Sequence, residues 1–287
     1  MDQKRIIDEF KELVSIEVHS RDERAIADVL KEKLTALGLT VTEDKAGEVL
    51  GGNTGNLYAQ LPGSTDGEPV LFSAHMDRVG NHGHIVPLVK EEEGKIVSDG
   101  TSILAGDDIG GVAAILAMLR EVKEKQIPHG PIEVAFSVCE ETGVEGSRQY
   151  DFSKFRSKSA FVYDASGKAG TIVLAAPSKG RVTIRVHGVT AHAGNEPEKG
   201  LNALKVAADL IMQLPDGRLS PVSTANFSII EAGSATNVVC DLVTITGEQR
   251  SRDAKEYQQI SADIQAAADR ISEKYHTKIE VELHTLY

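Results

Sequence analysis

Residues 132–141 read Ile-Glu-Val-Ala-Phe-Ser-Val-Cys-Glu-Glu. Ile132, Val134, Phe136 and Val138 recur at period two, the signature of a strand, and the run delivers two adjacent acids, Glu140 and Glu141, at its end. Upstream, residues 109–122 are helical by composition. The apolar run 69–74 before them is short enough to read as a buried strand. Strands and helices interleave in this way through residue 165, which predicts an α/β sheet domain.

Further toward the N-terminus, Ser20 and Glu23 read as a capping box. The helix it opens carries the stripe Ile26, Val29, Leu30, Leu34 and Leu37 and is closed by Gly38. Short strands are expected at Thr40–Glu43 and, after the GGNTG turn, at 56–61. From residue 178 the pattern changes to strand (181–186), helix (201–214), strand (224–230), strand (238–246), helix (254–271, capped by Asp253) and strand (278–283). That β-α-β-β-α-β order is the split βαβ, ferredoxin-like arrangement. The expected division is 1–176 for the first domain, 177–283 for the second, and 284–287 as the stub of a return.

The bulk numbers exclude several classes. With 287 residues, 41% hydrophobic and 26% charged, the chain has a globular composition and room for two cores. Its formal charge of −12 would repel a phosphate backbone, so nucleic acid is not an expected partner. The longest apolar run, 112–119, stops at Arg120 and is too short to cross a bilayer. The opening MDQKRIIDEFKELV carries mixed charge with no apolar leader, so a cytoplasmic location is expected. The two cysteines, Cys139 and Cys240, are read as reduced, buried thiols.

Four places could carry chemistry. In Ser73-Ala74-His75-Met76-Asp77 a strand ends in a histidine with an aspartate two positions on, on the same face. Such an aspartate can accept the outer imidazole N–H of a metal-bound histidine, although alone the pair is an ordinary structural hydrogen bond. In Leu104-Ala105-Gly106-Asp107-Asp108-Ile109-Gly110-Gly111 two acids precede a helix; one suffices as a cap, and the second suggests a carboxylate able to bridge cations. Glu140 and Glu141 leave a buried strand, which costs free energy unless a cation offsets them. Tyr163-Asp164 puts a further acid at a strand end. Three strand ends and one strand-to-helix turn therefore offer Asp, Glu or His where open α/β sheets bind ligands. Carboxylates with imidazole, and no suitably spaced cysteines, suit zinc, manganese or cobalt, and a bridging aspartate suits a pair of ions.

These stretches resemble the metallopeptidase family that includes peptidase T, carboxypeptidase G and the aminoacylases, most closely its peptidase T-like branch. The resemblance runs through SAHMDRV, VSDGTSILAGDDIGGVAAIL, IPHGPIEVAFSVCEETGVEGSR, FVYDASGKAG, GVTAHAGNEPEKGLNAL, GSATNVVCD and GEQRSRD. It implies a mixed-sheet, zinc-exopeptidase-like catalytic domain carrying the inserted ferredoxin-like domain as a lid and homodimerisation element. It further implies two zinc ions, one held by His75, Asp107 and Asp164, with Asp107 bridging to a second that Glu141 binds. Asp77 would orient His75, and Glu140 would be the general base toward a metal-activated water. By the same resemblance His192 steadies the oxyanion in the partner subunit's site, and Asn237 and Arg250 bind substrate, the guanidinium suiting a carboxylate.

The family's chain returns from the inserted domain with a histidine that completes the second metal site, whereas this sequence stops at Leu283-His284-Thr285-Leu286-Tyr287. His276 and His284 match no motif and are read as surface residues. A shortened enzyme with an uncovered apolar seam and impaired activity is thus expected. The leading reading is a metalloexopeptidase, of aminopeptidase or tripeptidase type, cleaving short peptides. The alternatives are an N-acyl amino acid amidohydrolase of the same fold, or a catalytically silent dimerisation module.

Overall fold

The computed structural model describes residues 2–80, 83–168 and 170–287; Ala169 of the FVYDASGKAG stretch lies outside them, as does Met1. The chain forms two compact units, Met1–Thr171 and Ile172–Tyr287. Among the described residues no helix is long and apolar enough to cross a membrane.

The first unit runs α1 (Gln3–Val14), α2 (Arg24–Ala36), β1 (Thr40–Glu43), α3 (Ala46–Leu50), β2 (Leu57–Leu61), β3 (Val70–His75), β4 (Pro87–Lys90), β5 (Lys95–Ser98), α4 (Gly106–Glu124), β6 (Ile132–Ser137) and β7 (Ser159–Val162). Its sheet has the order β1-β2-β6-β3-β7. β1, β2 and β6 pair antiparallel, while β3 runs parallel to both β6 and β7, so the sheet is mixed. The parallel trio matters for the site, because its three strands finish at the same edge. All six residues of β6 are buried, whereas the alternation at 132–138 by itself implies burial of one face only; Glu133 is held there by the Tyr58 and Ser157 hydroxyls. Helix α4 supplies Ile109, Val112, Ile115, Leu116 and Leu119 to the core, where they meet Leu13, Ile26, Leu30, Leu34 and Phe136. Each fully buried side chain of this size contributes roughly 1.5–3 kcal/mol.

Two close approaches fix the helix and the strand ends. A Cβ on Gly111 would lie 2.3 Å from Asp108 Oδ1 and 2.7 Å from Tyr163 Cβ, so only glycine lets α4 sit against the segment after β7. A Cβ on Gly146 would lie 1.8 Å from the Val138 carbonyl oxygen, which closes the loop after β6 in the same way. At the edge of the sheet β7 leaves Phe161 and Val162 52% and 63% exposed.

The Ser20–Glu23 capping box is not formed. Helix α2 has Glu23 at its N-cap without a side-chain cap bond, and the Ser20 hydroxyl donates instead to Asp77 at 2.6 Å. Glu23 has no exposed surface and accepts the backbone N–H groups of Arg21 (2.9 Å) and Cys139 (3.1 Å). The local signal was real, but tertiary donors and acceptors outcompeted it. Of the two thiols Cys139 is buried, while Cys240 is only partly so. The β4–β5 hairpin was not anticipated.

The second unit runs β8 (Ser178–His187), α5 (Ala203–Ile211), β9 (Gly217–Arg218), β10 (Ser223–Ala232), β11 (Leu242–Ser251), α6 (Ala254–Tyr275) and β12 (Ile279–Thr285). Its sheet order, β12-β8-β11-β10-β9, and antiparallel pairing give the expected βαββαβ arrangement with one two-residue edge strand added. Asp253 caps α6 by accepting from Lys255 and Glu256, and Ile260, Ile264, Ala267 and Ile271 bury its inner stripe against Val182, Ile184 and Ile245. His284 and Thr285 continue β12 opposite Arg181 and Gly180.

Candidate metal centre

The ends of β3, β6 and β7 and the start of α4 bring one imidazole and a set of carboxylates together. Ligand atoms of His75, Asp107 and Glu141 lie within 4.8 Å of one another, as do those of His75, Glu140 and Asp164. The five groups thus share one neighbourhood, although the triads divide the acids differently from the ligand sets implied by the sequence resemblance.

His75 is 2% exposed. Its Nδ1 lies 3.1 Å from the Asp77 carbonyl oxygen and 3.3 Å from Asp77 Oδ1, and its Nε2 lies 3.0 Å from Asp107 Oδ1. A carbonyl can only accept, so Nδ1 carries a hydrogen; Nε2, which faces the Asp107 carboxylate, is the nitrogen that would ligate a cation on giving up its own proton. Burial would lower the ring's pKa, but hydrogen bonding and charge from Asp77, with Asp108 and Asp107, outweigh it and hold the ring up at about 10.

Asp77 does more than orient the histidine. Its carboxylate accepts from the Ser20 hydroxyl and from the backbone N–H groups of Glu140 (2.9 Å) and Glu141 (3.1 Å). Burial would raise this acid, but those bonds and His75 hold it below the usual carboxylate range. The adjacent Arg78, 3% exposed, donates to the carbonyls of Val14 and Leu13 and so ties the loop after β3 to the C-terminal end of α1.

The remaining acids are strained by proximity. Burial pushes Glu141 up to about 7, against the pull of His75, with Asp107 and Glu140 adding repulsion. Burial raises Glu140 and Asp164 as well, again opposed by His75 and reinforced by neighbouring acids. Asp108, 2% exposed, accepts from the His75 and Gly111 backbone N–H groups and is pushed by burial up to about 8. The cluster is half open: His75 and Asp108 are buried, Glu140 and Glu141 are partly buried, and Asp107 and Asp164 are exposed. Its mutually repelling carboxylates beside one imidazole offer the nitrogen and oxygen donors that fit a divalent cation.

His192, Asn237 and Arg250 belong to the second unit. His192 sits in an exposed loop whose Ala193 N–H donates to the Asn237 carbonyl at 3.0 Å, so the first two are joined by main chain. Arg250 is already engaged by Glu248, Nε to Oε1 at 2.7 Å and a second guanidinium nitrogen to Oε2 at 3.1 Å. His276 and His284 are exposed, as expected. Sequence reasoning missed Asp108, Arg78 and the true role of Ser20 and Glu23; the adjacent Asp-Asp pair was the one available signal.

Residues 177–276 match the model of the peptidase dimerisation domain M20_dimer, and residues 56–196 match that of peptidase family M28. Over its whole length the chain superposes on the aminopeptidase PepT of Bacillus cereus with a TM-score of 0.93 at 39% identity, covering 77% of that chain. The chain belongs to the peptidase T-like branch of the M20 metallopeptidases. A tripeptidase of Staphylococcus aureus agrees, with a TM-score of 0.95 at 33% identity, all of this chain and 76% of that one being covered. The uncharacterized protein YqjE of Bacillus subtilis is 37% identical over all of this M20 chain and 77% of its own length. The chain spans 57% of the peptidase T of Staphylococcus carnosus and 60% of the carboxypeptidase G2 of a Pseudomonas strain.

Proposed function

We propose that this chain is a zinc-dependent exopeptidase of the aminopeptidase or tripeptidase type, acting on short peptides in the cytoplasm as a homodimer through its second unit. The observation that carries the proposal is the convergence of His75, Asp107, Glu140, Glu141 and Asp164 at one sheet edge. The peptidase names of its relatives support the substrate class, and the dimerisation-domain match supports the assembly. Domain limits of 1–176 and 177–283 belong to the same proposal.

His75, Asp107, Asp164 and Glu141 would hold two zinc ions, which when bound supply Lewis acidity and lower the pKa of water. Manganese or cobalt would suit the same donors. Glu140 is the general base: it takes a proton from the attacking water and passes it to the leaving amine, a task suited to an acid held above the ordinary range. Asp77 keeps His75 and the Glu140–Glu141 main chain in place. His192 from a second copy donates to the scissile carbonyl oxygen, and Asn237 and Arg250 bind the peptide. Because Glu248 already neutralises Arg250, a substrate carboxylate must share or displace it.

Zinc content by elemental analysis, together with turnover of tripeptides, dipeptides and N-acyl amino acids on the same sample, tests the proposal. Bound zinc, with tripeptides preferred among the substrates, is the expected result. Preference for N-acyl amino acids makes the chain an amidohydrolase instead, and absence of both metal and turnover leaves a dimerisation module.

A further inference from the structure

The two histidines in the proposed machinery are held in opposite senses. His75 directs Nδ1 at a carbonyl oxygen, so Nδ1 carries a hydrogen. His192 directs Nδ1 at two backbone N–H groups, those of Gly194 at 3.1 Å and Asn195 at 3.2 Å. A ring nitrogen that receives N–H donors must present a bare lone pair, so the hydrogen of the neutral ring is on Nε2. Among the described residues Nε2 of His192 has no partner. The Asn195 N–H is shared with the His192 carbonyl at 3.2 Å, and the loop is pinned to the other side by Val239 N–H donating to Ala191 and Ala193 N–H donating to Asn237. Two bonds of ordinary net strength, one of them shared, bias the tautomer ratio by roughly tenfold or more.

We infer that the backbone amides of Gly194 and Asn195 lock His192 as the Nε2–H tautomer, making it a hydrogen-bond donor toward an oxygen acceptor and unsuited to ligating a metal. The inference deepens the proposed role of His192 and rests on it for its catalytic meaning. A neutral His192 could bind zinc through Nε2 only by moving its hydrogen to Nδ1, which would set N–H against two amide N–H groups. The loop therefore separates the two jobs that histidines do in such a centre, ligation at residue 75 and donation at residue 192.

The test is the long-range nitrogen–proton NMR spectrum of the imidazoles in the full chain, with the His192 resonances identified by their loss in His192→Ala. The expected spectrum of the neutral ring has Nδ1 at the position of a bare nitrogen and Nε2 at that of a protonated one. Asn195→Pro and, separately, Gly194→Pro each delete one donor and should move the Nδ1 resonance toward the protonated position. A wild-type ring with its hydrogen on Nδ1, an even mixture, or resonances unmoved in both variants while circular dichroism reports an intact fold would overturn the lock. The spectrum needs no turnover, so it is separate from the role itself. That role is tested by His192→Gln, which retains a donor and should keep more of kcat than His192→Ala at similar KM.

Discussion

The carboxylate of Asp77 accepts the backbone N–H of Glu140 at 2.9 Å, across 63 positions of sequence. Through this bond and its neighbour to Glu141, the residue that orients the histidine also sets the main chain that carries the acid pair. Asp77→Asn keeps the shape but turns one acceptor into a donor facing N–H groups. Metal affinity should fall by roughly 10–100-fold, read by chelator competition. An unchanged affinity would show that the acid pair needs no such support.

Glu140→Gln removes the base while leaving His75, Asp107, Glu141 and Asp164 in place. Turnover of the best peptide should drop by about 10²–10⁴-fold with zinc content unchanged. Loss of metal together with turnover would make Glu140 a ligand, as its place beside His75 and Asp164 also permits.

Glu43, at the end of β1, is the anchor of an ion-pair network with Arg24 and Lys31. It accepts from the guanidinium of Arg24, from Lys31 at 3.0 Å, from the Thr54 hydroxyl at 2.9 Å and from the Gly55 N–H at 3.0 Å. The bond from Arg24, above all, holds its carboxyl far below the usual range. An acid depressed on folding stabilises the fold above its unfolded pKa, and that contribution fades as pH falls toward the folded value. Glu43→Gln should therefore cost about 2 kcal/mol at neutral pH, and the difference from wild type should narrow below about pH 4.3. Denaturant titrations at neutral and acidic pH would expose a pH-independent gap if the reasoning failed.

Gly111→Ala places a methyl group against Asp108 and Tyr163. The expected cost is roughly 1–3 kcal/mol of stability, with weakened metal binding because α4 and the Asp164 segment are forced apart. A melting temperature and zinc affinity equal to wild type would mean the contact relaxes freely.

Much of this was legible because burial and charge conflict in plain view. An acid following an apolar strand, as at Glu140 or Asp164, signals either an exposed end or a compensated cluster, and three strand ends and a strand-to-helix turn offering such groups at one sheet edge favour the cluster. The βαββαβ unit was legible from periodicity, as at Tyr257, Ile260, Ile264 and Ile271 in α6. The illegible parts depend on long-range geometry. Ser20 and Glu23 matched a local capping pattern, yet their partners are Asp77 and Cys139, 57 and 116 positions away. Nothing in the sequence around Arg78 points to its partners, and only the folded position of α1 shows that helix carbonyls accept from it. The pairing of Arg250 with Glu248 follows from two residues on one strand face, a spacing present in the sequence but silent about which partner the guanidinium prefers.

The parallel placement of β6 and β7 on either side of β3 has a consequence for biosynthesis. His75 emerges from the ribosome early, whereas its companions are made later: those at 140 and 141 reach it when β6 docks, and that at 164 when β7 does. Because such non-local pairing comes late in folding, the growing polypeptide lacks the His75–Asp107–Glu141 group until β6 has docked, and the His75–Glu140–Asp164 group until about residue 164 has cleared the exit tunnel. The full donor set therefore exists only in chains whose central sheet is already built.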